Sequence, residues 1–242
     1  MTHWAQTYLD KMVRYGFYEK ANDPVPDSPV TRAQLAKVIC NLVEDVPVVR
    51  LLHDVARYSV QILTNRCMGS GTVVGPNLIL TNMHVIFNKD ADAVDKEIGV
   101  IFHPFAQAPA NANCKVVRYS TVYDLALLET DVTLPFGKIP FCTEEPAQGE
   151  TVYVMGAPLG KREDFCEGEI RNTNRYESWW MGSSPLVYGT SIPINPGNSG
   201  GMAVNIKGEF VGVPVCKEVD VAVDDFTFLI PAMTADKFLR EG

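Results

Sequence analysis

Three short segments carry side chains whose types and order suit nucleophilic acyl transfer. They are Leu80-Thr81-Asn82-Met83-His84-Val85, Tyr123-Asp124-Leu125-Ala126-Leu127-Leu128-Glu129 and Ile194-Asn195-Pro196-Gly197-Asn198-Ser199-Gly200-Gly201. A serine hydroxyl is a weak nucleophile and needs an adjacent base to remove its proton. His84 ends an apolar strand pattern, where it can reach a facing loop, take that proton and return it to a leaving amine. Asp124 opens a second apolar strand pattern, a costly place for a carboxylate without a partner. Bonded to the His84 ring, it would fix the tautomer and stabilise the imidazolium. Ser199 sits among glycines that permit a tight bend and close approach of a carbonyl. The stretch Gly197-Asn198-Ser199 then supplies an oxyanion hole, with the Gly197 and Ser199 amides converging on the developing charge. Taken singly, Asp124 reads as a turn aspartate and the glycine-rich pentapeptide as a flexible loop. The order His, Asp, Ser across the segments makes the set specific. His3, His53 and His103 lack such a setting and read as incidental.

The elements that must hold these residues are short strands. From Val48 onward, β-branched runs alternate with Gly, Pro and Asn, as in Gly71-Thr72-Val73-Val74, Leu78-Ile79-Leu80-Thr81, Thr151-Val152-Tyr153-Val154 and Phe210-Val211-Gly212-Val213. Many short strands at this spacing predict a barrel or sandwich. Thr234 to Arg240 reads as a closing helix capped by Thr234. The N-terminal stretch differs. Trp4, Tyr8, Leu9, Met12 and Val13 share a helical face, a Pro-rich turn spans 22–29, and a second helix begins at Thr31 with Gln34 completing a capping box. The chain thus divides into a helical unit over 1–46 and a β domain over 47–242.

Composition narrows the function. At 242 residues the chain is long enough for a sizeable core. Its formal charge of −8 argues against broad binding to nucleic acid or anionic lipid. No apolar run approaches the roughly 20 residues of a membrane helix. No signal-peptide pattern opens the chain, which implies a cytoplasmic protein if Met1 is native. The six cysteines form no CxxC pair or Cys/His cluster, so neither a zinc site nor any other metal is expected, and free, structural thiols are.

The region from about 58 to 240 resembles the protease domain of the HtrA/Deg branch of the chymotrypsin-like (trypsin-like) serine proteases. The matching pieces are Gly69-Ser70-Gly71-Thr72-Val73-Val74, Leu80 through Val85, Asp124 through Leu128, Ile194 through Gly201, and Phe228-Leu229-Ile230-Pro231. The resemblance implies a mostly β fold of two perpendicular six-stranded antiparallel barrels with the active site between them. It also implies an acyl-enzyme on Ser199, a polypeptide substrate, and no metal or cofactor. Relatives with Gly-Asp-Ser-Gly use the aspartate in zymogen activation; uncharged Asn198 removes that switch. Val85 stands where secreted relatives often carry a disulfide cysteine, which leaves Cys67 without its usual partner. The chain ends at Gly242 just after the closing helix, so gating by a PDZ domain within it is not expected. The family's primary pocket maps to Pro193, Ile194, Val213, Pro214, Val215, Cys216 and Thr227. No acidic residue stands at its base, which implies a small or medium apolar P1 side chain. The acidic positions Glu218, Asp220, Asp224 and Asp225 read as a solvated loop. In such enzymes the segment before the serine, here Tyr188 through Pro196, can collapse the oxyanion hole.

Residues 3–43 resemble a single surface-layer homology (SLH) motif, through His3-Trp4-Ala5 and Pro26 through Ala36. That family implies a cell-wall glycan ligand, with Arg32 a contact, and placement at the cell surface. Only one unit is present, so packing or homo-oligomerisation is expected ahead of glycan binding. Two other readings remain beside an active endopeptidase: a wall-anchored binding module with an inactive protease fold, and a dedicated viral or phage processing protease.

Overall fold

The computed structural model describes residues 51, 54–102, 110–157, 164–176, 186–215 and 227–241. The expected helical unit over 1–46 lies outside the described residues, with His3, Arg32 and Cys40. So do His53, His103, Cys216 and the acidic positions 218, 220, 224 and 225.

After a short 3-10 turn at Ala56–Tyr58 come β1 (Ser59–Thr64), β2 (Met68–Gly75) and β3 (Leu78–Asn82). A single helical turn, α1 (Met83–Ile86), and a small hairpin of β4 (Phe87–Asn88) and β5 (Ala93–Val94) follow. Then β6 (Ile98–Phe102), β7 (Asn111–Ser120) and β8 (Leu125–Thr130) close an antiparallel barrel in the order β1-β2-β3-β8-β7-β6. A second closed barrel contains β9 (Thr151–Gly156), β10 (Asp164–Tyr176), β11 (Leu186–Thr190), β12 (Met202–Val204), β13 (Phe210–Val215) and β14 (Thr227–Pro231), in the order β10-β11-β14-β13-β12-β9. The expected mostly β, two-barrel architecture is therefore the one the chain adopts. Closure leaves no long unpaired strand edge in either barrel.

Each barrel has its own core. Val60, Ile62, Ile79, Phe102 and Leu128 pack inside the first, and Val154, Ile170, Tyr188, Val211 and Leu229 inside the second. The burial patterns follow from position. On β6 and β7 solvated and inward residues alternate, whereas β2 and β13 are buried along nearly their whole lengths. Both faces of those two strands are covered because β1 and β2 contact β9 while β3 contacts β13. Strands covered on both faces read as continuous apolar runs. Residues on this seam between the barrels are thus held from two sides.

The closing helix, α2, spans Ala232–Arg240, so it begins two residues before the expected Thr234 cap. Pro231 occupies the N-cap position with φ −57, and no side chain caps the helix. The proline that ends β14 already has the torsion a helix entry needs, which explains the earlier start. From the first barrel, Arg118 donates to the Phe238 carbonyl at 2.7 Å and lies over the Phe238 ring. This contact satisfies one of the carbonyls that a helix C-terminus leaves open.

Candidate active site

His84 lies in α1 rather than at the end of β3, and Asp124 lies in the turn before β8 rather than within the strand. One set of hydrogen bonds explains both departures. The Asp124 carbonyl accepts from the Met83 amide at 3.1 Å and from Asn82 Nδ2 at 2.9 Å, so β3 ends there and the chain turns. The Asp124 backbone has φ 52, a left-handed torsion that Asp tolerates better than most residues.

That turn aims the Asp124 carboxylate at His84 twice. Oδ1 accepts from the His84 backbone amide at 3.0 Å, and Oδ2 lies 2.7 Å from Nδ1 of the ring. Asp124 is only 7% exposed, so this bonding replaces the water that an isolated carboxylate would need. A carboxylate only accepts, so the ring proton belongs on Nδ1 and Nε2 is left to accept another.

Ser199 is 5% exposed and lies in the loop between β11 and β12. The peptide units around it are pinned in succession. The Gly197 carbonyl accepts from Ser70 Oγ at 2.6 Å, and the Asn198 amide donates to the Asn195 carbonyl at 3.0 Å. The Asn198 carbonyl accepts from Gly201 N–H at 3.0 Å. The Ser199 carbonyl accepts from Ser70 N–H at 2.9 Å, and Gly200 N–H donates to the Pro214 carbonyl at 3.1 Å. Gly197 and Gly200 carry φ values of 104 and 85, which favour glycine. Gly200 is required a second way, because a Cβ there would overlap Thr81 Oγ1 and the Ser70 carbonyl. The serine loop therefore packs directly on the end of β3, next to the turn that carries His84.

Asn198 is 1% exposed, and its side-chain amide has no hydrogen-bond partner among the described residues. A carboxylate at this position would be a buried, uncompensated charge; the neutral amide is tolerable.

The expected pocket residues have varied surroundings. Val213 and Val215 are buried in β13, and Pro193 is exposed. Ile194 is half-buried against the second core. Thr227, half-buried at the start of β14, donates to the Ile192 carbonyl at 2.6 Å and bonds the Thr190 hydroxyl at 2.7 Å. Tyr188 to Thr190 form part of β11, so the segment leading to the serine is a loop only from Ser191 onward. Burial pushes the Tyr188 phenol up to about 12, which keeps it neutral in the core.

Cys67, Cys114 and Cys142 are free thiols. The residue across from the Val85 side chain is Gly69 rather than Cys67; the Cys67 thiol instead donates to the Val85 carbonyl at 3.2 Å. Among the described residues no His, Cys, Asp and Glu side chains gather in a way that could hold a metal ion. No described helix is long and apolar enough to cross a membrane. Sequence reasoning did not single out Ser70, Thr81 or Asn82, although polar residues within otherwise apolar strands were a visible signal.

With this geometry in place, comparison with known proteins identifies a two-barrel peptidase class, since residues 69–213 match the trypsin-like peptidase domain. The chain belongs to the trypsin-like peptidase domain family. It is 32% identical over 179 residues to the serine protease Do-like HtrA of Lactobacillus helveticus, covering 68% of this chain and 40% of that protein. It is 30% identical over 188 residues to the serine endoprotease DegS of Salmonella typhimurium, covering 73% of this chain and 49% of that one. The match thus spans less than half the length of either relative. Among solved structures, the serine endoprotease of Yersinia pestis superposes with a TM-score of 0.65 at 26% identity, covering 79% of this chain and 65% of that one.

Proposed function

We propose that the chain is a serine endopeptidase in which Ser199 attacks the scissile carbonyl, His84 shuttles the proton and Asp124 orients His84. The observation that carries this reading is the doubly bonded His84–Asp124 pair beside the pinned, glycine-framed Ser199 loop. In the first step the Ser199 Oγ bonds to the carbonyl carbon while its proton passes to His84 Nε2. Collapse of the tetrahedral intermediate gives the acyl-enzyme, and His84 returns the proton to the departing amine. Water, deprotonated by the same base, then releases the acyl group. The Gly197 and Ser199 amides stabilise the oxyanion, and Asn198 between them fixes their spacing.

The pocket before the serine takes a small or medium apolar P1 side chain. The Thr190–Thr227 hydroxyl pair and half-buried Ile194 support this, since they offer no charge to a Lys or Arg. Residues 47–242 form the peptidase domain, and the SLH-like residues 1–46 serve packing or assembly. Profiling cleavage of a peptide library by the full chain, with Ser199→Ala as control, tests the reading. Cleavage after Ala, Val or similar residues that vanishes in the variant is expected. Cleavage mainly after Lys or Arg would refute the pocket, and cleavage persisting in Ser199→Ala would refute the nucleophile.

A further inference from the structure

We infer that Ser70 is a positioning residue for the oxyanion hole, acting from the first barrel on both peptide units that flank the Asn198–Ser199 bond. This rests on the reading of Ser199 as nucleophile. Ser70 lies on β2 at the seam between the barrels and is fully buried. Its hydroxyl is satisfied in both roles: it accepts from the Ala157 amide at 2.8 Å and donates to the Gly197 carbonyl at 2.6 Å. Its amide donates to the Ser199 carbonyl at 2.9 Å, and its carbonyl accepts from Thr81 Oγ1 at 2.7 Å. All of its polar groups are therefore engaged, and two of them hold the serine loop.

A trans peptide points its carbonyl and its amide in opposite directions. Ser70 Oγ holds the carbonyl of the Gly197–Asn198 unit while the Asn195 carbonyl holds its amide end. Ser70 N–H holds the carbonyl of the Ser199–Gly200 unit, and the Pro214 carbonyl holds that amide end. The intervening Asn198–Ser199 unit is bonded through its carbonyl to Gly201 N–H, so its own N–H points the other way. The Gly197 torsion, φ 104, lies where glycine moves with little steric resistance, so hydrogen bonds rather than steric bulk hold this turn. The Ser70 hydroxyl adds one of those bonds from outside the loop. The Ala157 bond ties the same hydroxyl to the end of β9, so the arrangement also registers one barrel against the other.

A neighbouring hydroxyl provides a control. Thr72, two residues along β2, is equally buried, and its Oγ1 has no hydrogen-bond partner among the described residues. Thr72→Val therefore reports the loss of a buried hydroxyl that bonds no described residue, and for Ser70→Ala a fall in kcat and boronate affinity without a matching change in KM and product affinity separates positioning from a merely structural loss.

The test uses the full chain with a fluorogenic peptide, a peptide boronate and a fluorophosphonate. The boronate and the fluorophosphonate both place an oxygen where the oxyanion forms, whereas a cleaved product peptide does not. For Ser70→Ala, kcat is expected to fall about 10- to 100-fold, less than the roughly 10²- to 10³-fold that follows outright loss of an oxyanion donor, because the donors stay and only their support is lost. KM and product-peptide affinity are expected to change less than about threefold, and boronate affinity to fall in parallel with kcat. Thr72→Val is expected to keep the wild-type kcat. Ser70→Cys retains a weak donor and is expected to fall between the two; it is read in the same way if the alanine variant does not fold. Wild-type kcat and boronate affinity in a folded Ser70 variant, or equal losses in Ser70→Ala and Thr72→Val, would overturn the inference. No reaction of the wild type with fluorophosphonate would overturn the nucleophile reading and this inference together, whereas a reactive wild type matched by an equally reactive Ser70→Ala would overturn this inference alone.

Discussion

Replacing Asp124 by asparagine separates its orienting role from its place in the fold. The two carboxylate oxygens accept from two His84 donors, the backbone amide at 3.0 Å and Nδ1 at 2.7 Å. An asparagine side chain has one acceptor oxygen. If that oxygen keeps the backbone amide, the new NH2 faces Nδ1 and makes it the acceptor. The ring proton then moves to Nε2, which can no longer take the Ser199 proton. A wrong tautomer of this kind costs about 10⁴ in kcat, or about 5.4 kcal/mol of barrier. The fold should tolerate the change. Asparagine accepts a φ near 52, and the bonds from Asn82 and Met83 go to the Asp124 carbonyl rather than to its side chain. Weakening a charge-assisted bond to a neutral one costs about 1 kcal/mol, equivalent to about 2–4 °C of Tm at this size. Asp124→Ala should lose similar activity and more stability, since alanine in the left-handed region adds about 1–2 kcal/mol. The assay is kcat on a fluorogenic peptide, with Tm by calorimetry on the same samples. An Asp124→Asn enzyme within tenfold of wild-type kcat at unchanged Tm would show that Asp124 does not set the His84 tautomer.

Other substitutions probe the surrounding contacts. Gly200→Ala meets both a left-handed torsion and overlap with Thr81 and the Ser70 carbonyl. It should lower stability by about 3 kcal/mol or more and abolish turnover, and an unchanged urea midpoint would contradict it. Asn198→Asp places a carboxylate where the side chain has no described partner. Burial raises its folded-state pKa above an unfolded value near 3.9, so the penalty is absent below about pH 4 and grows as pH rises. Its urea midpoint should match wild type at pH 4 and fall below it at pH 7; equal midpoints at both would contradict the burial argument. Arg66 pairs bidentately with Asp95, which is 8% exposed and directly follows β5. Arg66→Ala should cost about 1–2 kcal/mol, the arginine's partial exposure moderating the loss; no shift in urea midpoint would show the pair to be neutral. Burial pushes the Cys114 thiol up to about 12. At pH 8 it should alkylate on the order of 10³-fold more slowly than a free cysteine, as followed by mass spectrometry.

The spacing of short strands made a barrel or sandwich legible, and the resemblance to a known family added that there are two six-stranded barrels. β3 and β9 announce themselves as β-branched runs bounded by Gly, Pro and Asn, whatever they contact later. What the sequence could not convey was geometry set from a distance. His84 enters a helical turn because a carbonyl from the Asp124 turn captures Met83 and Asn82, and no local propensity encodes that. Asp124 read as the first residue of a strand because its left-handed torsion has no signature beyond an Asp beside an apolar run. The position of α2 was missed by two residues because Thr234 resembles a cap, while Pro231 sets the entry angle without one. Ser70 stayed hidden for the same reason as the Asp124 bonds. Its partners, Ala157 and Gly197, are far away in sequence and meet it only once both barrels have closed.

The most direct test of Ser199 as nucleophile is the mass of the intact chain after exposure to a fluorophosphonate, followed by peptide mapping. One phosphonyl group per chain is expected, located on the peptide containing Ser199, absent from Ser199→Ala and strongly slowed in His84→Ala. A folded wild-type chain that gains no mass, or an adduct that persists in Ser199→Ala, would contradict Ser199 as nucleophile.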